Sequence, residues 1–341
     1  MNSNTRSMHL ATRIGIKGAM VLALLALVAP LSASAHVATH DGNNSSVGNF
    51  QHVFVIMMEN TSYSSLIGNP NARWINFAAK NYGLATNYFG VTHPSQPNYI
   101  AATSGSTNGV VDDSDITVDV PNIVDQLEAH SKTWKGYMQS LSLCNGNLLA
   151  SSCGNQLYER KHDPFVSYAD VQNNPARMAN IVDFSQFSTD LANNKVPNFS
   201  WISPDQCHDM HGRGALASDP CSFSNEQLLI SAGDKFLRNT VGAIMNSNTW
   251  QNSNSVILIA WDESDFPFSD TSGCCDATPG GGHVVTLAIP SENDTERTSK
   301  VAYNHYSLLA TIESAWKLGC LKFTCDTVNV KPMSDLVGQN G

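Results

Sequence analysis

The sequence predicts an α/β protein with a mostly parallel central sheet and helices on both of its faces. Three observations carry that expectation. Short apolar runs of strand length alternate with segments whose apolar residues recur every three or four positions. Several of the runs are apolar without alternation, as strands covered on both faces must be. No linker rich in Pro, Ser or Gly and no internal repeat divides the 341 residues, so one large domain is expected.

Taken in order, Arg6, Arg13 and Lys17 precede the apolar run Ala19 to Ala29, and the small-residue site Ala33-Ser34-Ala35 follows it. That is the pattern of a signal peptide over 1–35, cleaved after Ala35. The run is shorter than the roughly 20 residues of a membrane span, and no comparable stretch follows. Residues 36–50 are polar and expected to be flexible, leaving 51–341 as the single domain. Strands are expected at Val53 to Met58, Leu84 to Phe89, Asn198 to Ile202, Val256 to Trp261 and Val284 to Ile289. Helices are expected at Trp74 to Tyr82, Pro97 to Thr103, Ile123 to Ala129, Phe184 to Asn193, Gln227 to Met245 and His305 to Leu318. Leu141 to Asn180 is rich in Asn, Ser and Cys and reads as an inserted loop region. Phe266 to Gly282, with three consecutive glycines, reads as a loop at the mouth of a site.

Charge and cysteine content narrow the function classes. The formal charge is −10, and the expected signal segment holds three basic residues and no acids, so its removal lowers the charge further. That balance argues against a basic nucleic-acid-binding surface. Eight cysteines, an even number in an exported chain, suggest disulfides. Local pairs are the simplest arrangement for Cys144 with Cys153, Cys207 with Cys221 and Cys320 with Cys325. Cys274 and Cys275 pair with each other or elsewhere. A zinc knuckle is the weaker alternative, because no pair of Cys-x-x-Cys motifs is present.

The chemistry gathers where expected strands end. The first strand runs into Glu59-Asn60, the second through a short loop into His93-Pro94-Ser95, the third into Asp205 and His208, and the fourth into Asp262-Glu263. In open α/β sheets ligands bind beyond the carboxyl ends of strands. Carboxylates, an amide oxygen and imidazoles together suit Zn, Mn, Mg or Ca. Each acid alone fits a helix cap or a surface charge; four strand ends with the same habit favour a site. Ser95 precedes a helical pattern with proline in its first turn, so it suits an N-cap as well as a nucleophile facing a phosphate at a helix terminus. His208 and His211 lie in the dense segment Asp205 to Gly212. His283 follows the glycines and His305 opens the last helix. His52, His130 and His162 carry no functional expectation.

In this order, Met58-Glu59-Asn60-Thr61-Ser62-Tyr63, His93-Pro94-Ser95-Gln96-Pro97-Asn98-Tyr99, Ser203 to Gly212, Trp261-Asp262-Glu263, Gly282-His283 and Asn304 to Leu309 resemble the secreted phosphoesterase family. That family holds bacterial and fungal acid phosphatases and bacterial phospholipases C, and it is related to the alkaline phosphatase superfamily. The likeness covers about Gln51 to Leu318. It departs at Ser264-Asp265, where some relatives have a glycine-rich or asparagine-containing stretch, and in being shorter than the larger phospholipases.

The resemblance implies an alkaline-phosphatase-like fold and a divalent metal held by Glu59, Asn60, Asp262 and Glu263, with Ser95 as the attacking hydroxyl and itself a ligand. Asp205, His211 and His283 are then phosphate-binding or further metal candidates, and His208 and His305 candidates for protonating the leaving group. The expected activity is that of a secreted or periplasmic acid phosphatase acting on a phosphoester substrate. A small phospholipase C with transient phospholipid contact and a non-catalytic binding protein on the same scaffold are the alternatives. No amphipathic membrane helix is evident to favour the lipase.

Overall fold

The computed structural model describes residues 47–265, 268–292 and 296–338. The expected signal peptide and residues 36–46 of the 36–50 segment lie outside the described residues. The strands are β1 His52–Met58, β2 Gly83–Phe89, β3 Trp134–Met138, β4 Ser152–Cys153, β5 Tyr158–Glu159, β6 Ile181–Asp183, β7 Phe199–Ser203, β8 Ser255–Trp261, β9 His283–Pro290, β10 Arg297–Ser299 and β11 Tyr303–Asn304. The longer helices are α1 Arg73–Asn81, α2 Ser95–Ser104, α3 Ile123–Ala129, α4 Ser185–Ala192, α5 Glu226–Met245 and α6 His305–Trp316.

The central sheet has the order β10-β2-β9-β8-β1-β7-β3-β6, with β11 also beside β2. Its middle is made of the most apolar runs: every residue of β7 and of β8 is buried. Such strands need cover on both faces, and a fully buried large aliphatic side chain contributes about 1.5–3 kcal/mol. Helices pack in pairs over the sheet, α2 with α6 and α1 with α5. The first of these pairs is nearly enclosed, since every residue of α2 is buried.

All five expected strands and all six expected helices form, with ends shifted by a few residues. The sheet is mostly parallel, yet β9 runs antiparallel to both β2 and β8. This reversal brings the start of β9, not its end, to the edge where β2 finishes, with His283 opposite Phe89. Strands β3, β6, β10 and β11 were not anticipated. β3 carries Lys135 and Gly136, and β6 spans only three residues, so neither presents an apolar run. The Leu141 to Asn180 region holds the β4–β5 hairpin and short 3-10 turns, pinned by Cys144–Cys153. The other disulfides are Cys207–Cys221, Cys274–Cys275 and Cys320–Cys325. Among the described residues no helix is long and apolar enough to cross a membrane.

Candidate active site

Strand register creates the site. β1 and β8 are parallel neighbours with Met58 paired to Trp261, so Glu59-Asn60 and Asp262-Glu263 leave the sheet side by side. The exit is fixed by backbone bonds: Asp262 N–H donates to Met58 O at 3.0 Å and Glu59 N–H to Asp209 O at 2.9 Å. Asn60 turns with φ of +35°, a left-handed conformation that asparagine tolerates better than most residues. Its N–H then reaches Asp262 Oδ1 at 3.0 Å, and its side-chain amide donates to Glu263 Oε1 at 3.2 Å.

Ser95 arrives from β2 through the loop 90–94. A Cβ on Gly90 would stand 2.7 Å from Asp262 O, so only glycine lets the loop pass so close. Asn98, fully buried one turn into α2, clamps the loop from within: its Oδ1 accepts from the N–H groups of Val91 and Thr92, and its amide donates to the carbonyls of Thr92 and Pro94. Ser95 Oγ consequently lies 3.0 Å from both Glu59 Oε2 and Glu263 Oε1 and 3.4 Å from Asn60 Oδ1. A hydroxyl has one proton and can donate to only one carboxylate at a time. The second close oxygen therefore calls for a protonated acid or a cation between them.

Four further residues enter: His93 and Asp209 belong to segments the sequence singles out, whereas Tyr99 and His162 carried no expected role. Tyr99, one helical turn after Ser95, donates its hydroxyl to Glu59 Oε1, and His93 Nδ1 bonds Glu263 Oε2. His162 stacks on Tyr99 with ring centroids 5.4 Å apart, and its Nε2 lies 3.3 Å from Glu59 Oε1 without hydrogen-bond alignment. Asp209, fully buried, stands 3.6 Å from His162 Nδ1. His162, from which no function was expected, is thus in the site. It comes from the inserted region, where a short turn in a polar stretch has no periodic pattern to flag it.

Burial governs the electrostatics. It pushes the Glu59 carboxyl well above the ordinary carboxyl value, with the Asp262 charge adding to the rise. Asp262 is raised in the same way by burial and then by Glu263; Asp209 and Glu263 also go up, burial first in each case. Burial lowers His162 well below its usual value and His211 to about 4, in both cases assisted by the Lys161 charge. Crowded buried carboxyls of this kind are what a cation relieves.

Asp262 Oδ2 and Asp209 Oδ2 are buried with no hydrogen-bond partner. An orphaned oxygen inside a set of carboxylates, an amide oxygen and a hydroxyl fits a hard divalent cation. Among the described residues, no group of three or more His, Cys, Asp or Glu side chains is already drawn into a ligand cage.

The remaining expected residues sit farther out. His208 is 39% exposed at the rim, held through Nδ1 by Asp205 Oδ1 at 2.7 Å. His211 Nδ1 donates to its neighbour's carbonyl, Gly212 O, and its ring centroid is 6.2 Å from that of His162. His283 bonds Thr86 O through Nε2 and stacks on Tyr63, which turns it toward β2 rather than toward Ser95. His305 is completely buried behind the acids. Its Nε2–H donates to Asp262 O at 2.6 Å, so its Nδ1 accepts from the Tyr88 hydroxyl at 3.0 Å. With both nitrogens engaged and burial lowering it to about 4, His305 is a neutral prop for the Asp262 peptide. It has no free nitrogen to protonate a leaving group.

The fold, a mostly parallel sheet with helices packed over it, is shared with the alkaline phosphatase superfamily. A protein of that superfamily from Vibrio parahaemolyticus superposes with a TM-score of 0.51 at 15% identity, over 81% of this chain and 69% of that one. The chain belongs to the phosphoesterase family, whose profile matches residues 70–319. An acid phosphatase of Aspergillus fumigatus is 30% identical over 279 residues, 80% of this chain and 56% of its own. A phosphatidylinositol-3-phosphatase of Mycobacterium tuberculosis is 27% identical over 298 residues, 86% of this chain and 85% of its own. The chain spans less than two thirds of the length of the fungal acid phosphatases it matches.

Proposed function

We propose that the protein is an exported, metal-dependent phosphomonoesterase with Ser95 as nucleophile. The observation that carries this is Ser95 Oγ at 3.0 Å from two buried carboxyl oxygens, on the first residue of α2. Glu59, Asn60, Asp262, Glu263 and Ser95 would hold a divalent cation. When bound, it supplies Lewis acidity to the phosphoryl oxygens and lowers the pKa of the hydroxyl.

The chain's own groups do the rest. Ser95 Oγ attacks phosphorus in line, its proton passing to Glu59 or Glu263, as the Ser95–phosphorus bond forms and the bond to the leaving alcohol oxygen breaks. A proton from a site acid or from solvent completes the alcohol, with His208, oriented by Asp205, the candidate donor. Water then cleaves the phosphoserine and returns the hydroxyl, so two displacements give retention at phosphorus. The amides at the start of α2 favour the negative charge that builds there.

Phosphatase names on the relatives of Aspergillus and Mycobacterium support a monoester over a phospholipase C substrate. Four disulfides support an oxidising compartment, secreted or periplasmic. The test is release of phosphate from p-nitrophenyl phosphate against release of phosphocholine from lecithin, before and after chelation. Ser95→Ala is expected to lower kcat by about a thousandfold or more while the fold is kept. Retention of more than a few per cent of turnover by Ser95→Ala would refute the nucleophile assignment, and turnover surviving complete metal removal would refute the metal dependence.

A further inference from the structure

Beside the acids stands one cation that neither the sequence patterns nor the proposed chemistry uses. Lys161 lies in the short turn Arg160–His162, next to the site histidine His162, and its side chain is only 16% exposed. Its Nζ donates to Asp113 Oδ2 at 2.8 Å. The other oxygen of the same carboxylate, Asp113 Oδ1, accepts from the N–H of Gln96 at 3.0 Å. Gln96 directly follows Ser95, so Asp113 occupies a free amide at the start of the nucleophile's helix. Burial pulls the Lys161 ammonium down, and the charges of Glu59 and then Asp113 more than reverse it, which places Lys161 in the field of the site itself.

Asp113 belongs to the loop joining α2 to α3, whose acidic stretch Asp112-Asp113-Ser114-Asp115 lies along the basic pair Arg160-Lys161. Arg160 is 3.5 Å from Asp115 and donates to Ile116 O at 2.8 Å. The two basic residues are held differently. Arg160 is anchored to backbone carbonyls, whereas among the described residues the Lys161 ammonium donates its one hydrogen bond to Asp113, a side chain 32% exposed and with a route to solvent.

We propose that Lys161 Nζ and the Gln96 N–H bind two oxygens of the substrate's phosphoryl group, and that the Asp113 carboxylate holds their place until the phosphoryl group displaces it. This rests on the phosphoesterase function proposed above. Two oxygens on one carbon span nearly the same gap as two on one phosphorus, so a bridging carboxylate and a bridging phosphoryl group satisfy the same pair of donors. The exchange also answers the charge problem. A phosphomonoester dianion entering among Glu59, Asp262 and Glu263 needs nearby positive charge, and moving Asp113 aside frees the Lys161 ammonium for it. Asp113 is then a competitor built into the chain, which weakens phosphate binding and lets product leave.

The test uses metal-loaded protein and inorganic phosphate, with binding measured by calorimetry and by competition against p-nitrophenyl phosphate. Lys161→Gln is expected to weaken phosphate binding and raise KM by about 10- to 100-fold, with Lys161→Arg recovering most of the loss. Asp113→Asn is expected to tighten phosphate binding and lower KM by about 3- to 30-fold, because the competitor has lost its charge.

Opposite signs at the two ends of one ion pair are the signature, since a merely structural pair would shift both variants the same way. Phosphate affinity unchanged within threefold in Lys161→Gln, or weakened in Asp113→Asn, overturns the inference. Should Lys161→Gln fail to fold, the direction of change in Asp113→Asn decides alone. Calorimetry needs no turnover, so wild-type protein that cleaves no phosphoester would overturn the proposed function while leaving the phosphate measurement to judge Lys161.

Discussion

Asp262 shows how a single residue is placed against the stability of its own fold. It is fully buried, its Oδ1 accepts from Asn60 N–H, and its Oδ2 has no partner. Asp262→Asn keeps an acceptor for Asn60 and removes a charge that burial and Glu263 both oppose. The expected outcome is loss of turnover together with a rise of several degrees in the thermal midpoint of chelated protein near pH 7, read by calorimetry.

The acids of this site were legible because each directly follows a strand whose apolar run is unmistakable, so position alone singled out Glu59 and Asp262. Tyr99, His162 and Lys161 were not, for a physical reason. Tyr99 looks like any core aromatic one turn into a helix, and the other two come from the turn Arg160–His162, whose return to the site depends on long-range packing. The histidines misled in the other direction. His305 stands next to the chemistry in space, yet Tyr88 and the Asp262 carbonyl use both of its nitrogens.

At the scale of elements, α6 carries a second buried acid, unrelated to the site. Glu313 is 2% exposed, accepts from Gln126 at 3.0 Å, and is pushed up to about 8 by burial. Because its folded value is raised, the stability it contributes is fully present below the ordinary carboxyl value of about 4.5 and is lost as pH rises through about 8. Glu313→Gln is therefore expected to match wild type near pH 4 and to exceed it at pH 9 by on the order of 5 kcal/mol at most, in urea unfolding at the two pH values. The helices were the most legible elements because their three- and four-residue periodicity survives without context. β9 was legible as a strand but not in direction, since period and composition are the same whichever way a strand runs. Only its pairing with β2 and β8 reveals that it returns antiparallel.

For the molecule as a whole, the raised carboxyls act together. Glu59, Asp209, Asp262 and Glu263 all sit above their ordinary values in the metal-free chain. By the same sign rule, chelated protein is expected to be most stable in acid and to lose stability as pH rises toward 8. A bound divalent cation favours the ionised forms and reverses the trend. Added cation should thus raise the thermal midpoint little at pH 5 and markedly at pH 8, by RT ln(1 + [L]/Kd) in free energy. A midpoint insensitive to cation at both pH values would count against the acids as a metal site. The α/β class and the mostly parallel sheet followed from alternation alone, whereas the sheet's far edges rest on strands too short or too polar to register.

The disulfides have a consequence of another kind. The bridges join residues 9, 14, 1 and 5 positions apart, and each closes within one connection between strands of the central sheet or in the segment after α6. None ties one strand of the central sheet to another, so the covalent reinforcement lies wholly outside that sheet. Each bridged loop is in effect a portable cassette, and one transplanted between members of the family would bring its own staple with it.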